Sequence, residues 1–144
     1  TAETMNSIKS DFNSFAGRRF EDTCAEYITQ LNSGNTLPFQ ITYLSKWWGH
    51  TRVEGERREV EIDLIALNEK TRQIAFIECK WKDGVSAEKI LNGLKEKASA
   101  VNWHNNERQE YYCVFAKTFS NKRPEEKNLL LYDLNDLTQK KLGK

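Results

Sequence analysis

The sequence has no apolar run long enough to cross a bilayer. Its longest, Ile74 to Ile77 and Leu129 to Tyr132 among them, fall far short of the ~20 residues a spanning helix needs. It has no cationic stretch followed by an apolar one near Thr1, so nothing argues for secretion, and no membrane partner is expected. It lacks a charge excess: 22 Lys and Arg face 21 Asp and Glu, a net charge of +1. Any binding of a polyanion must therefore come from local clustering. Cysteine is scarce and odd in number (Cys24, Cys79, Cys113), and His50 and His104 are the only histidines. No zinc-ligand spacing results, and free buried thiols in a reducing, cytoplasmic setting are expected. Repeats, low-complexity tracts and internal linkers are absent too.

What is present is an ordinary globular composition, 38% hydrophobic and 30% charged over 144 residues. That suits one domain with a real core. Thr1 is not a natural first residue, so the chain, residues 1–144, is expected to be a module of a longer protein. Ile8, Phe12 and Phe15 form a loose apolar stripe. Beyond Gly17, the residues Phe20, Cys24, Tyr27, Ile28 and Leu31 recur at helical spacing, and Asn32-Ser-Gly-Asn ends that helix. Leu37 to Trp48 reads as a strand ending at Gly49. From Arg57 to Leu67 the pattern alternates, with Val60, Ile62, Leu64 and Ala66 on one face and Glu59, Glu61 and Asp63 on the other.

A polar turn at Asn68 to Arg72 leads into Ile74 to Trp81, apolar on both faces and so expected to be central. Ser86 caps a helix reaching about Val101. Strands follow at Tyr111 to Phe115 and Leu129 to Tyr132, then a helical tail from about Leu134. The order α-β-β-β-α-β-β-α predicts an α/β fold, one mixed sheet flanked by helices.

The chemistry gathers on two strands. Glu78 and Lys80 share a face of theirs, ~7 Å apart. A hairpin centred on Lys70-Thr71 sets Asp63 opposite Glu78, with Cβ atoms ~5 Å apart. Carboxylates that close repel unless a proton or a cation lies between them, and Mg²⁺ takes one or two carboxylates with water or phosphate completing its sphere. On a helical wheel at ~100° per residue, Glu21 lies at the edge of the buried stripe, while Asp22 and Glu26 face solvent. The plainer alternative is a solvated hairpin, with Glu61 opposite Lys80 and Glu59 opposite Lys82 as ion pairs.

Glu21 in a helix, then Asp63, then Glu78-x-Lys80 resembles the PD-(D/E)XK nuclease superfamily, the fold of restriction endonucleases and archaeal Holliday-junction resolvases. Trp47-Trp-Gly, Glu61-Ile-Asp63-Leu-Ile-Ala-Leu-Asn68 and Glu78-Cys-Lys-Trp81 more narrowly resemble an uncharacterised archaeal domain family found at the C-terminus of P-loop ATPases. Ile62 stands where the superfamily motif has proline, and no Gly-x4-Gly-Lys-Ser/Thr loop occurs in these residues. The resemblance implies a restriction-endonuclease-like fold that cuts DNA with Mg²⁺ or Mn²⁺. Asp63, Glu78 and the Cys79 backbone carbonyl would hold the ion, Glu21 would bind it directly or through water, and Lys80 would orient the attacking water. Arg18, Arg19, Arg57, Arg58 and Trp48 are candidate DNA contacts, with Trp47 and Trp81 more often packing residues. The lysines Lys89, Lys95 and Lys97 read as helix surface. The second expectation, from another class, is a silent module that binds nucleic acid, or dimerises or regulates a fused ATPase.

Overall fold

A stripe of Phe20, Cys24, Tyr27, Ile28 and Leu31, all buried, fastens the first helix to the sheet by its C-terminal half. That helix, α1 (Ala2–Ser33), runs unbroken through Gly17 for 32 residues, ~48 Å. The loose early stripe and the later tight one thus belong to one helix. The computed structural model describes residues 1–143, apart from the side chains of Phe12 and of residues 140–143. After α1 come β1 (Tyr43–Val53), β2 (Glu56–Asn68), β3 (Gln73–Lys80), α2 (Ala87–Ala98), β4 (Gln109–Ala116), β5 (Leu129–Tyr132) and α3 (Leu134–Gly143). The strands form one mixed sheet in sequence order, antiparallel from β1 to β3 and parallel from β3 to β5. The expected fold class and element order are what the chain adopts.

Strand β1 starts later and ends later than the sequence suggests. Asn32, at the end of α1, clasps Ile41 through two hydrogen bonds of 2.7 and 3.0 Å, which keeps the preceding segment out of the sheet. The strand continues through Gly49, which pairs with Val60 and leaves room for the Trp47 indole along it: a Cβ on Gly49 would fall 2.3 Å from that ring. The charged stretch around Arg52 to Glu59 is mostly strand, closed by a two-residue turn at Glu54-Gly55 with φ of 51° and 83°, the left-handed pair that suits strand twist.

The alternation expected along β2 breaks at Asp63. Ser45 pairs with Ile65, yet Trp47 pairs with Ile62, so three steps along β2 match two along β1. Asp63 and Leu64 together oppose Lys46, a β-bulge. Consequently Ile62 packs with the α2-side cluster, whereas Leu64 and Ala66 join the α1 side. Val60, Ile62, Leu64 and Ala66 do not share one face, because the extra residue reverses the phase of every side chain beyond it.

Strand β3 lies third of five and is buried on both faces, with Ala75, Ile77 and Cys79 toward α1 and Ile74 and Phe76 toward α2. Helix α2 is capped by the Ser86 hydroxyl, which accepts the Lys89 N–H at 3.3 Å. It ends at Ala98 rather than near Val101. The Arg108 guanidinium there donates to the carbonyls of Ala98, Val101 and Trp103, tying the end of α2 to the segment that follows it. No described helix is long and apolar enough to cross a membrane. All three cysteines are free and buried.

Candidate active site

The β2–β3 ladder pairs Leu64 with Ile77 through to Asn68 with Gln73. Asn68 sets this register: its side-chain oxygen accepts the N–H groups of Lys70 and Thr71, closing the turn. One step beyond Leu64, where Asp63 would meet Glu78, the ladder stops. The Asp63 carboxylate there accepts the Cys79 N–H at 2.8 Å, doing what a β2 carbonyl would otherwise do. The bulge thus aims Asp63 into the gap between the two strands.

Glu78 projects toward α2 and is only 4% exposed. Lys97 of α2 meets it at 2.5 Å, and Asp63 lies within hydrogen-bonding reach. Burial first, then the hydrogen bond and charge of Asp63, raise the Glu78 carboxyl from 4.5 to about 7, against the opposing pull of Lys97. Two acids in contact, one half-protonated near neutrality, form an arrangement that a proton or a cation relieves.

Lys80 follows two residues on, on the same face as Glu78 by strand alternation. Among the described residues it has no ion-pair partner within 4 Å. Glu21 does sit at the edge of the buried stripe, but its carboxylate is held by Lys46 of β1 at 3.2 Å. The same ammonium lies 3.7 Å from Glu61. Burial lowers the Lys46 pKa, but the hydrogen bond and charge of Glu21, with the charges of Glu61 and Asp63, outweigh it and leave the ammonium above its usual value. No group of three His, Cys, Asp or Glu that could hold a metal ion occurs among the described residues. The structure therefore brings Asp63, Glu78 and the Cys79 backbone together and pairs Glu21 with Lys46 instead. The expected pairs of Glu61 with Lys80 and Glu59 with Lys82 do not form: Glu61 faces Lys46, and Glu59 faces Arg57.

Lys46 and Lys97 were not legible as site residues. Lys97 is one helical step from buried Leu94 and Ala98, the position where a charged group can curl back to a sheet acid, and that was the available signal. Lys46 offered none, since its role depends on the bulge opposite. Of the candidate DNA contacts, Arg18 and Arg19 are exposed on α1 near Glu21. Arg57 and Arg58 sit near the hairpin tip, ~17–20 Å along the strand from Asp63, among four glutamates of the same ribbon. Trp48 is 66% exposed, with the Lys46 ammonium 5.9 Å from its ring centre.

Fold and site together define a mixed α/β domain with a buried glutamate and a half-buried aspartate beside each other at the carboxyl end of its central strand, bordered by lysines. Residues 1–110 match the DUF234 family, archaeal and bacterial proteins of unknown function, and the chain belongs to it. It is 35% identical over 136 residues to an uncharacterized protein of Methanocaldococcus jannaschii, across 93% of its own length. It spans 28% of that relative's length. No solved structure matches the chain.

Proposed function

We propose that this domain hydrolyses phosphodiester bonds of DNA with a divalent cation, Mg²⁺ or Mn²⁺, at Asp63 and Glu78, in the manner of the PD-(D/E)XK nucleases. The observation that carries the reading is the contact of these two carboxyls where the β2–β3 ladder opens, with Glu78 raised to about 7. Two hard oxygen donors in mutual repulsion fit a small divalent ion that keeps most of its waters. When bound, such an ion lowers the pKa of a coordinated water and offsets charge on the phosphate.

The chain's own groups have distinct tasks in this reading. The Cys79 N–H orients Asp63, and the Cys79 carbonyl is the neighbouring backbone ligand. Lys80, without a carboxylate of its own among the described residues, positions the attacking water and stabilises negative charge developing on the phosphate. Arg18 and Arg19, near Glu21, serve the DNA backbone better than the remote Arg57 and Arg58.

A second reading is a silent nucleic-acid-binding, dimerisation or regulatory module of a longer cytoplasmic protein, such as one with an ATPase. One observation favours it: Glu78 and Glu21 each already have a lysine partner, and no buried side-chain polar atom among the described residues lacks a hydrogen bond. Labelled duplex, single-stranded and branched DNA incubated with the protein in Mg²⁺, Mn²⁺ or EDTA decide between them. Metal-dependent cleavage abolished by Lys80→Ala supports the nuclease. DNA binding that falls steeply with salt, without cleavage under any metal, supports the silent module.

A further inference from the structure

We propose that the free half of α1 is a self-association surface, pairing antiparallel across a two-fold axis with the same helix of a second copy of this chain. Every described side chain from Thr1 to Phe15 is exposed. Three of them are large and apolar: Met5, Ile8 and Phe15, at 55, 57 and 55%. On a wheel at ~100° per residue they centre about 130° away from the Phe20, Cys24, Tyr27, Ile28 and Leu31 face that grips the sheet. They are therefore no continuation of the core stripe, and the domain's own sheet does not cover them. Most residues from Thr4 to Ser14 are Thr, Asn, Ser or Asp, types that favour caps over helix interiors. A helical half of that composition needs its apolar stripe buried.

A second copy fits because this helix carries both a ridge and a hollow. Beside the turns that follow the stripe lies an open cavity of about 410 Å³, lined by Phe15, Arg19, Phe20, Trp81 and Leu134 among others. A two-fold rotation puts each ridge in the other's hollow. With the axis crossing α1 between residues 13 and 14, Met5 and Ile8 of one copy lie against residues 19 to 22 of the other, at that cavity. Asp11 and Arg18 share one flank of the stripe, and Lys9 lies on the other. The same register sets Asp11 within two positions of Arg18 of the copy, twice, while Lys9 falls near Ala16 of the copy and meets no like charge. Asp11 and Arg18 have no ion-pair partner within 4 Å among the described residues. The two helices overlap over about 26 residues, ~39 Å, and a net charge of +1 opposes the approach very little. Self-association is independent of the chemistry at Asp63 and Glu78, but it claims Arg18 and Arg19, which then do not serve DNA.

Sedimentation equilibrium of the purified chain between about 1 and 200 μM tests this, and the wild type is expected to pass from monomer to dimer in that range. Ile8→Glu, at an exposed position outside the gripped half of α1, should weaken the dimer by about tenfold or more. Met5→Gln repeats the test at the other end of the stripe. Asp11→Arg and Arg18→Asp should each weaken it by about threefold or more, and the double variant should return to within about threefold of wild type. A dimer indifferent to Ile8→Glu and Met5→Gln would place the interface elsewhere and overturn the proposal. Charge variants without effect, or a double variant without rescue, would overturn the antiparallel register. A monomer at every concentration would overturn self-association altogether, and a loss of duplex affinity in monomeric Arg18→Asp would give this face to DNA instead.

Discussion

Asp63→Asn should make the metal-free protein more stable in alkali while removing the proposed metal site. Glu78 is an acid whose folded pKa, about 7, exceeds its usual 4.5. The sign is therefore the reverse of a salt-bridged carboxylate: its favourable contribution is complete below pH 4.5 and disappears as pH rises through 7. A shift of that size corresponds to roughly 3 kcal/mol lost by pH 8.5, at ~1.4 kcal/mol per unit. Burial is the leading cause and Asp63 the next, so the variant should recover on the order of 1–1.5 kcal/mol of it. The Asn side-chain oxygen can still accept the Cys79 N–H, at a pH-independent cost of about 0.5–1 kcal/mol for the weaker acceptor.

The informative quantity is thus the pH dependence of the difference, not the difference at one pH. Thermal unfolding in EDTA at pH 5.5 and 8.5 should show Asp63→Asn gaining about 3–6 °C in Tm relative to wild type between the two values. Added Mg²⁺ should raise the wild type at pH 8.5 and leave the variant unmoved. A variant whose Tm tracks the wild type in parallel at both pH values would refute the coupling of Asp63 to Glu78.

Three further outcomes follow from named contacts. Lys97→Met, which strips Glu78 of its ion pair, should push the Glu78 carboxyl still higher and cost roughly 1–2 kcal/mol at pH 8.5, discounted for the partly exposed lysine, with little effect at pH 5.5; carboxyl-resolved NMR titration and urea unfolding read both. Lys80→Ala should cut cleavage by about 100-fold or more while changing DNA affinity in Ca²⁺ by less than about threefold, and an equal loss in both would make Lys80 a phosphate contact instead. Gly49→Ala should destabilise by about 1–3 kcal/mol, because the new methyl meets the Trp47 ring at 2.3 Å; an unchanged urea midpoint would mean that the indole moves aside freely.

Local pattern determined most of the architecture. Helical spacing picked out the buried stripe of α1, Ser86 marked the start of α2, and the polar turn at Asn68 set the β2–β3 register that points Asp63 toward Glu78. These depend on neighbours in sequence, or on a turn whose hydrogen bonds close within three residues, so the sequence alone contains them. What the tertiary structure decided depends on distant partners. The bulge at Asp63 arises from pairing with β1, and it reverses the faces of Ile62 and Leu64 in a stretch that reads as one regular strand. Lys46 meets Glu21 across 25 residues and Lys97 meets Glu78 across 19. For Lys97 only its place beside buried Leu94 and Ala98 hints at this, and for Lys46 nothing local does, because the difference lies in the carboxylate that the fold brings to it.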